Sequence, residues 1–146
     1  MTLLDILRVK GSSVLTIGPG ATLQEATQEM VRHNVGSLVV CERDLEIGER
    51  LLGILSERDI LRFSAAQRGP LSSARVADVM TTELVTGSPH DSVEAAMGLL
   101  TTRRIRHLPV LSSGRLVGIV SIGDVVKSQL GHLAMENQFM KHYITG

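Results

Sequence analysis

Apolar residues along the chain fall into short helical stripes and short continuous runs, and the order in which these follow one another occurs twice. Thr2 to Arg8 places Leu3, Ile6 and Leu7 on one helical face behind a Thr2–Asp5 capping box, and Gly11-Ser12-Ser13 ends that helix. Val14 to Ile17 predicts a strand, Gly18-Pro19-Gly20 a turn, and Thr22-x-x-Glu25 the start of a helix whose Leu23, Ala26, Met30 and Val31 face the core. Leu38 to Cys41 is apolar without alternation, the pattern of a strand buried on both faces. The charged segment from Glu42 to Arg50 reads as a hairpin loop, Leu51 to Leu55 as the returning strand, and Ser56 as the start of a helix carrying Asp59, Ile60, Leu61 and Phe63.

Ala65 to Ser73 is a polar connector containing Gly69-Pro70, and the pattern restarts beyond it. Thr16 and Thr86, Pro19 and Pro89, Ala26 and Ala96, and Val40 and Val110 are each 70 positions apart. The offset falls to 65 for Gly53 and Gly118, Ser56 and Ser121, and Asp59 and Asp124, because the first hairpin is five residues longer. The opening helix has its own echo in Val76 to Met80. A duplication of this period predicts two like units that bury their apolar faces against each other about a pseudo-twofold axis. Neither is self-sufficient, since roughly 60 residues alone make a marginal domain. The expected divisions are 1–68 for the first repeat with the N-terminal helix, 69–127 for the second, and 128–146 for a C-terminal helix. There Leu130, Leu133, Ala134, Asn137, Met140 and Ile144 form one stripe and Met135, Phe139 and Tyr143 another. That exceeds what one packing face needs, so a homodimer is expected.

Composition narrows the chemistry. Fifteen basic residues balance fifteen acidic ones, which argues against a broad electrostatic footprint for nucleic acid or anionic lipid, so any anion site must be local. Aromatics make up only 2% of residues, which leaves no platform for stacking bases. The single cysteine, Cys41, excludes an internal disulfide and multi-cysteine metal clusters, and fits a reducing compartment. With no basic leader and no apolar run approaching ~20 residues, the chain is expected in the cytoplasm and off the membrane.

The remaining candidate chemistry lies at Ser56-x-x-Asp59 and Ser121-x-x-Asp124. Taken singly, each is a capping box that satisfies free N–H groups in a first helical turn. Repeated in register after a glycine-containing strand, at the end where open sheets place ligands, the corner points to a duplicated site. A helix N-terminus offers N–H donors and positive partial charge to a phosphate, and the serine adds a hydroxyl. The aspartate one turn later can accept from a vicinal diol such as that of ribose. Phosphate donor and diol acceptor on one turn describe a nucleotide.

With these corners, with Arg104-Ile105-Arg106-His107-Leu108-Pro109-Val110, and with the strand-turn-helix openings at Thr16 and Thr86, the chain resembles a tandem pair of CBS domains from about Thr2 to Lys127. These regulatory modules take their name from cystathionine β-synthase. The resemblance implies an α/β fold of the α+β type, built from two β-α-β-β-α repeats with short N-terminal and longer C-terminal helices. It also implies two clefts for adenosine nucleotides such as AMP, ADP, ATP or NAD, bound as regulatory ligands and not as catalytic cofactors. Carried over, the second cleft would use Asp124 on ribose and Ser121 on phosphate. Thr86, Thr82 and Leu84 would approach sugar or base, Leu108 and Pro109 would wall the adenine, and Arg104, Arg106 and His107 would stand beside that wall. The first cleft would use Asp59, Ser56 and Thr16, with Gly36, Ser37 and Leu38 where the second repeat has Arg106, His107 and Leu108. Lacking those cations, and with Val39 in place of Pro109, it is expected to bind more weakly, with Arg58 and Lys10 as candidate substitutes.

Two other classes compete. The Arg103-Arg104-x-Arg106 cluster is the only feature favouring RNA or DNA binding, and neutral charge and scarce aromatics oppose it. An enzyme acting on an adenine nucleotide would need a nucleophile and base or a metal set. Cys41 sits in a buried strand, and the histidines have no metal-ligand spacing. The expected protein is therefore not an enzyme but a sensor, binding an adenine nucleotide and signalling to a regulated protein that the sequence does not name.

Overall fold

The computed structural model describes residues 1–11 and 13–131. The elements run α1 (Leu3–Lys10), β1 (Thr16–Ile17), α2 (Leu23–His33), β2 (Ser37–Asp44), β3 (Gly48–Ser56), α3 (Glu57–Ala65), α4 (Val76–Val79), α5 (Val93–Thr102), β4 (His107–Ser112) and β5 (Arg115–Ser121). Residues 122–131 are helical as well. The fold class is the mixed α+β arrangement expected.

The chain divides into two compact units, and the division does not follow the repeats. The first unit holds Ser13–Leu84 and Ser112–Leu116; the second holds residues 1–11, 85–111 and, among those described, 117–131. The N-terminal helix therefore does not belong with the first repeat, as expected from its position, but with the second. Leu3, Ile6 and Leu7 are buried in one core with Val93, Ala96, Leu100, Leu108, Val110, Val120 and Val125. Its echo makes the reverse exchange: Val76 of α4 is buried with Leu23, Ala26, Met30, Leu38, Val40, Leu55 and Phe63. Both short helices carry the same apolar pattern, so nothing local tells either one which core to enter.

In the first unit β1 lies parallel to β2, with Thr16 opposite Val39 and Ile17 opposite Val40, and β2 is antiparallel to β3. Leu38 to Cys41 are buried without alternation, as their pattern predicts. The segment from Glu42 to Arg50 is mostly strand and not loop: Asp44 pairs with Gly48, leaving only three residues to turn the chain. Asp44 Oδ1 closes that turn by accepting from the N–H groups of Glu46 and Ile47 at 2.8 and 3.2 Å, the local device by which Asp favours turns. Val31, expected on a helical core face, points outward at 76% exposure, and Leu61 of α3 does the same at 68%.

The second unit repeats the plan with one difference that a single residue explains. In the first unit the Val39 N–H donates to the Leu15 carbonyl at 3.3 Å, beginning the β1–β2 ladder. The equivalent residue is Pro109, which has no N–H to give. The counterpart of β1 shrinks to one bridge, Gly87 opposite Val110. The helix over residues 122–131 continues through position 128 without a break, so the boundary placed there is not a structural one. The apolar stripes beyond 131, and the subunit contact expected of them, lie outside the described residues.

Candidate functional site

Each Ser-x-x-Asp corner forms at the point where an outgoing strand becomes a helix. At the second, the Ser121 N–H donates to Asp124 Oδ2 at 2.8 Å, and the Asp124 N–H donates to Ser121 Oγ at 3.0 Å. At the first, the Ser56 N–H reaches Asp59 Oδ2 at 2.9 Å and the Asp59 N–H reaches Ser56 Oγ at 3.2 Å. Both are complete capping boxes, so local helix chemistry alone builds the corner and fixes each carboxylate at its helix start. The glycine preceding each serine has a packing reason. A Cβ at Gly53 would lie 2.8 Å from the Met80 sulfur and from the Thr81 carbonyl, and one at Gly118 would lie 2.6 Å from the Leu7 side chain.

What lies over those glycines also lies over the aspartates, and there the corners differ. Thr81 forms a two-way backbone bridge with Ile54 and directs its hydroxyl to Asp59 Oδ1 at 3.3 Å. Lys10, at the end of α1, places its ammonium 2.6 Å from Asp124 Oδ2 and 2.9 Å from the carbonyl of Ile119, the counterpart of Ile54. Lys10, expected as a substitute cation in the first cleft, thus stands at the second corner. Thr82 and Leu84, expected in the second cleft, belong to the unit that holds Asp59. Both corrections follow from the exchange of short helices: each carries the segment after it onto the other repeat's corner.

Arg104, Arg106, His107, Leu108, Pro109 and Thr86 share the unit of Asp124. Thr16, Gly36, Ser37, Leu38 and Arg58 share that of Asp59. Leu108 and Pro109 are buried, while Thr16, Thr86, Arg58, Arg106 and His107 are exposed. In the arginine cluster the Arg103 and Arg104 amides close the end of α5 by donating to the Leu99 and Thr101 carbonyls, and Arg103, Arg104 and Arg106 are all exposed. Arg104 takes the left-handed conformation at φ +54°, which its counterpart Asn34 also adopts. Glu57 carries no mark of its own in the pattern of the chain; its carboxylate lies 3.4–3.6 Å from where a Cβ on Gly36 would be.

Electrostatics follow from this placement. Burial raises the Asp124 pKa, but the Lys10 ammonium and the Ser121 N–H and hydroxyl outweigh it and hold the carboxyl below its ordinary value. Partial burial, then Lys10 and Arg106, push His107 below its usual value, against the pull of Asp124. At neutral pH the corner thus holds an anion, Lys10 and a neutral imidazole. With its two side chains 33% and 23% exposed, the Lys10–Asp124 pair is worth no more than ~1 kcal/mol, so a ligand can displace or share it. Burial, followed by the nearby Glu49, pushes the Cys41 thiol up to about 11, which removes the thiolate a nucleophile requires.

The sequence profile of the CBS domain matches residues 3–66 and again 76–131. The chain belongs to the CBS-domain family. CBS-domain pairs are regulatory modules. A CBS domain-containing protein of Bacillus subtilis is 40% identical over 121 residues, covering 83% of this chain and 82% of that protein. The solved CBS-domain protein of Agrobacterium tumefaciens shares 36% identity with a TM-score of 0.77, over 88% of this chain and 92% of the other. A more distant pair, 22% identical, has the same fold at a TM-score of 0.73 over 90% and 98% of the two chains. Its crystal structure is of a complex with 5′-methylthioadenosine and S-adenosylmethionine. Among the described residues of this CBS pair, no three His, Cys, Asp or Glu side chains converge on a possible metal position, and no helix is long and apolar enough to cross a membrane.

Proposed function

We propose that this CBS pair is a sensor of adenosine nucleotides, with AMP, ADP, ATP or NAD as its ligand and the Asp124 corner as its principal seat. The observation that carries this is the state of the Asp124 carboxylate. It is ionised, clamped through Oδ2 by the cap and by Lys10, and among the described residues no hydrogen bond occupies Oδ1. A fixed carboxylate with an open oxygen suits a ribose diol. Pro109 adds a second feature, because it leaves the Val85 carbonyl without the strand partner that Leu15 has, and a carbonyl so released can accept from the exocyclic amine of adenine. The distant pair bound to adenosine compounds supports the ligand class. No catalytic step is assigned.

Ligand occupancy acts on a regulated protein only through differential affinity for two arrangements of this module. A homodimer, expected from the apolar stripes beyond residue 131, belongs to the same reading, and sedimentation of the full chain tests it. Calorimetric titration with AMP, ADP, ATP and NAD tests the ligand. Asp124→Ala is expected to weaken the best of them by at least about tenfold, since a hydrogen bond to a charged group is worth ~1.5–3 kcal/mol. Asp59→Ala is expected to cost less. The reverse ranking would move the principal seat to Asp59, and no binding by any of the four would remove the sensing function.

A further inference from the structure

The two corners share a backbone and differ in charge. At Asp124 the added groups are cationic: Lys10 lies 2.6 Å from the carboxylate, and the Arg106 carbonyl accepts from the Ile122 amide at 2.9 Å, which holds that arginine's backbone against the first turn of the helix. At Asp59 the same positions are neutral or acidic. Thr81 approaches the carboxylate, Gly36 takes the place of Arg106 and accepts from the Glu57 amide at 3.0 Å, and Glu57 replaces Ile122 with its carboxylate over Gly36. Arg58 is the one basic side chain in that first turn, and it is exposed. Both corners present an aspartate and a serine at a helix start, so a diol does not distinguish them. The charge on the rest of the ligand does.

We propose that Lys10 and Glu57 sort adenosine compounds by charge, so that the Asp124 corner selects those with an anionic 5′ group and the Asp59 corner those that are neutral or cationic there. This rests on the nucleotide reading above and adds which ligand goes where. Lys10 is suited to the role because it is anchored to the Ile119 carbonyl as well as to Asp124, so a diol arriving at the carboxylate leaves the ammonium in place. A phosphate at the same corner then meets a fixed positive charge. At the other corner a phosphate meets the exposed carboxylate of Glu57, and a like charge placed beside the seat acts as a rejection device.

The test uses the full chain with one corner silenced at a time, titrated calorimetrically with adenosine, AMP and S-adenosylmethionine as neutral, anionic and cationic probes. In the Asp59→Ala protein, AMP is expected to bind about tenfold or more tightly than adenosine. Adding Lys10→Met should bring that ratio close to one, and adding Lys10→Arg should preserve it. In the Asp124→Ala protein, AMP should be the weakest of the three probes, and Glu57→Gln should remove its disadvantage. An AMP-to-adenosine ratio untouched by Lys10→Met, or the same preference at both corners, overturns the proposal while leaving nucleotide sensing intact. If none of the three binds the unsubstituted chain, the sorting proposal falls, and titration with ADP, ATP and NAD then decides the nucleotide reading by itself.

Discussion

The Asp59 and Asp124 corners are built from the same four-residue cap, the same preceding glycine and the same helix start, yet they are closed by different means. Backbone closes the first: Thr81 bridges Ile54 through both its N–H and its carbonyl, and its hydroxyl meets Asp59. Side chains close the second: Leu7 lies on Gly118, and Lys10 spans Asp124 and Ile119. A backbone cover cannot be exchanged without refolding, whereas a lysine at the surface can. Duplication has thus preserved the frame and left the covering residues free to differ.

The largest effect that would break this comparison is at the glycines. Gly53→Ala drives a methyl group onto the hydrogen-bonded Thr81 carbonyl and is expected to cost about 2–3 kcal/mol in urea unfolding. Gly118→Ala meets the Leu7 side chain, which can partly yield, and is expected to cost about 1–2 kcal/mol. Equal costs would mean that the two covers are equally rigid. Next are the caps: Ser56→Ala and Ser121→Ala should each remove about 1 kcal/mol.

Arg104 sharpens the comparison in the opposite direction. It holds a left-handed backbone conformation that Asn tolerates better, so Arg104→Asn is expected to stabilise by up to about 1 kcal/mol. If the same variant weakens AMP binding, the strained arginine is kept for its ligand. The smallest effect is that of the Lys10–Asp124 pair. Because the Asp124 pKa is lower folded than unfolded, its stabilisation is full above the unfolded value and disappears as pH falls through the folded one. Lys10→Met should therefore reduce stability at neutral pH by no more than ~1 kcal/mol and flatten the decline below about pH 4. The same variant should raise the His107 pKa in an NMR titration, since Lys10 is one of the charges that lower it.

Much of the candidate site was legible in the chain because caps are local. Ser56 and Asp59, or Ser121 and Asp124, need only each other and their own backbone to form. Pro109 could also be read, since the missing N–H belongs to the residue itself. Lys10, Thr82 and Leu84 were misplaced because their positions depend on where α1 and α4 dock, and Glu57 was overlooked because nothing in its own turn shows that Gly36 lies beneath it. Val31 and Leu61 show the limit of periodicity: both sit on helices with enough other apolar residues to fill the core, and both are left in solvent.

Sequence alone was sufficient for the order of the elements, the duplication, the doubled corner and the asymmetry between Arg106-His107 and Gly36-Ser37, because these rest on short-range chemistry and on register between two copies. Only the tertiary structure decided which core each short helix enters. Leu3, Ile6 and Leu7 could satisfy either apolar core, and their selection of the one around Val93, Leu108 and Val120 brings Lys10 to Asp124. Burial does not depend on chain order, so the residue that distinguishes the two seats came from the half of the sequence where neither its neighbours nor its repeat partner would place it.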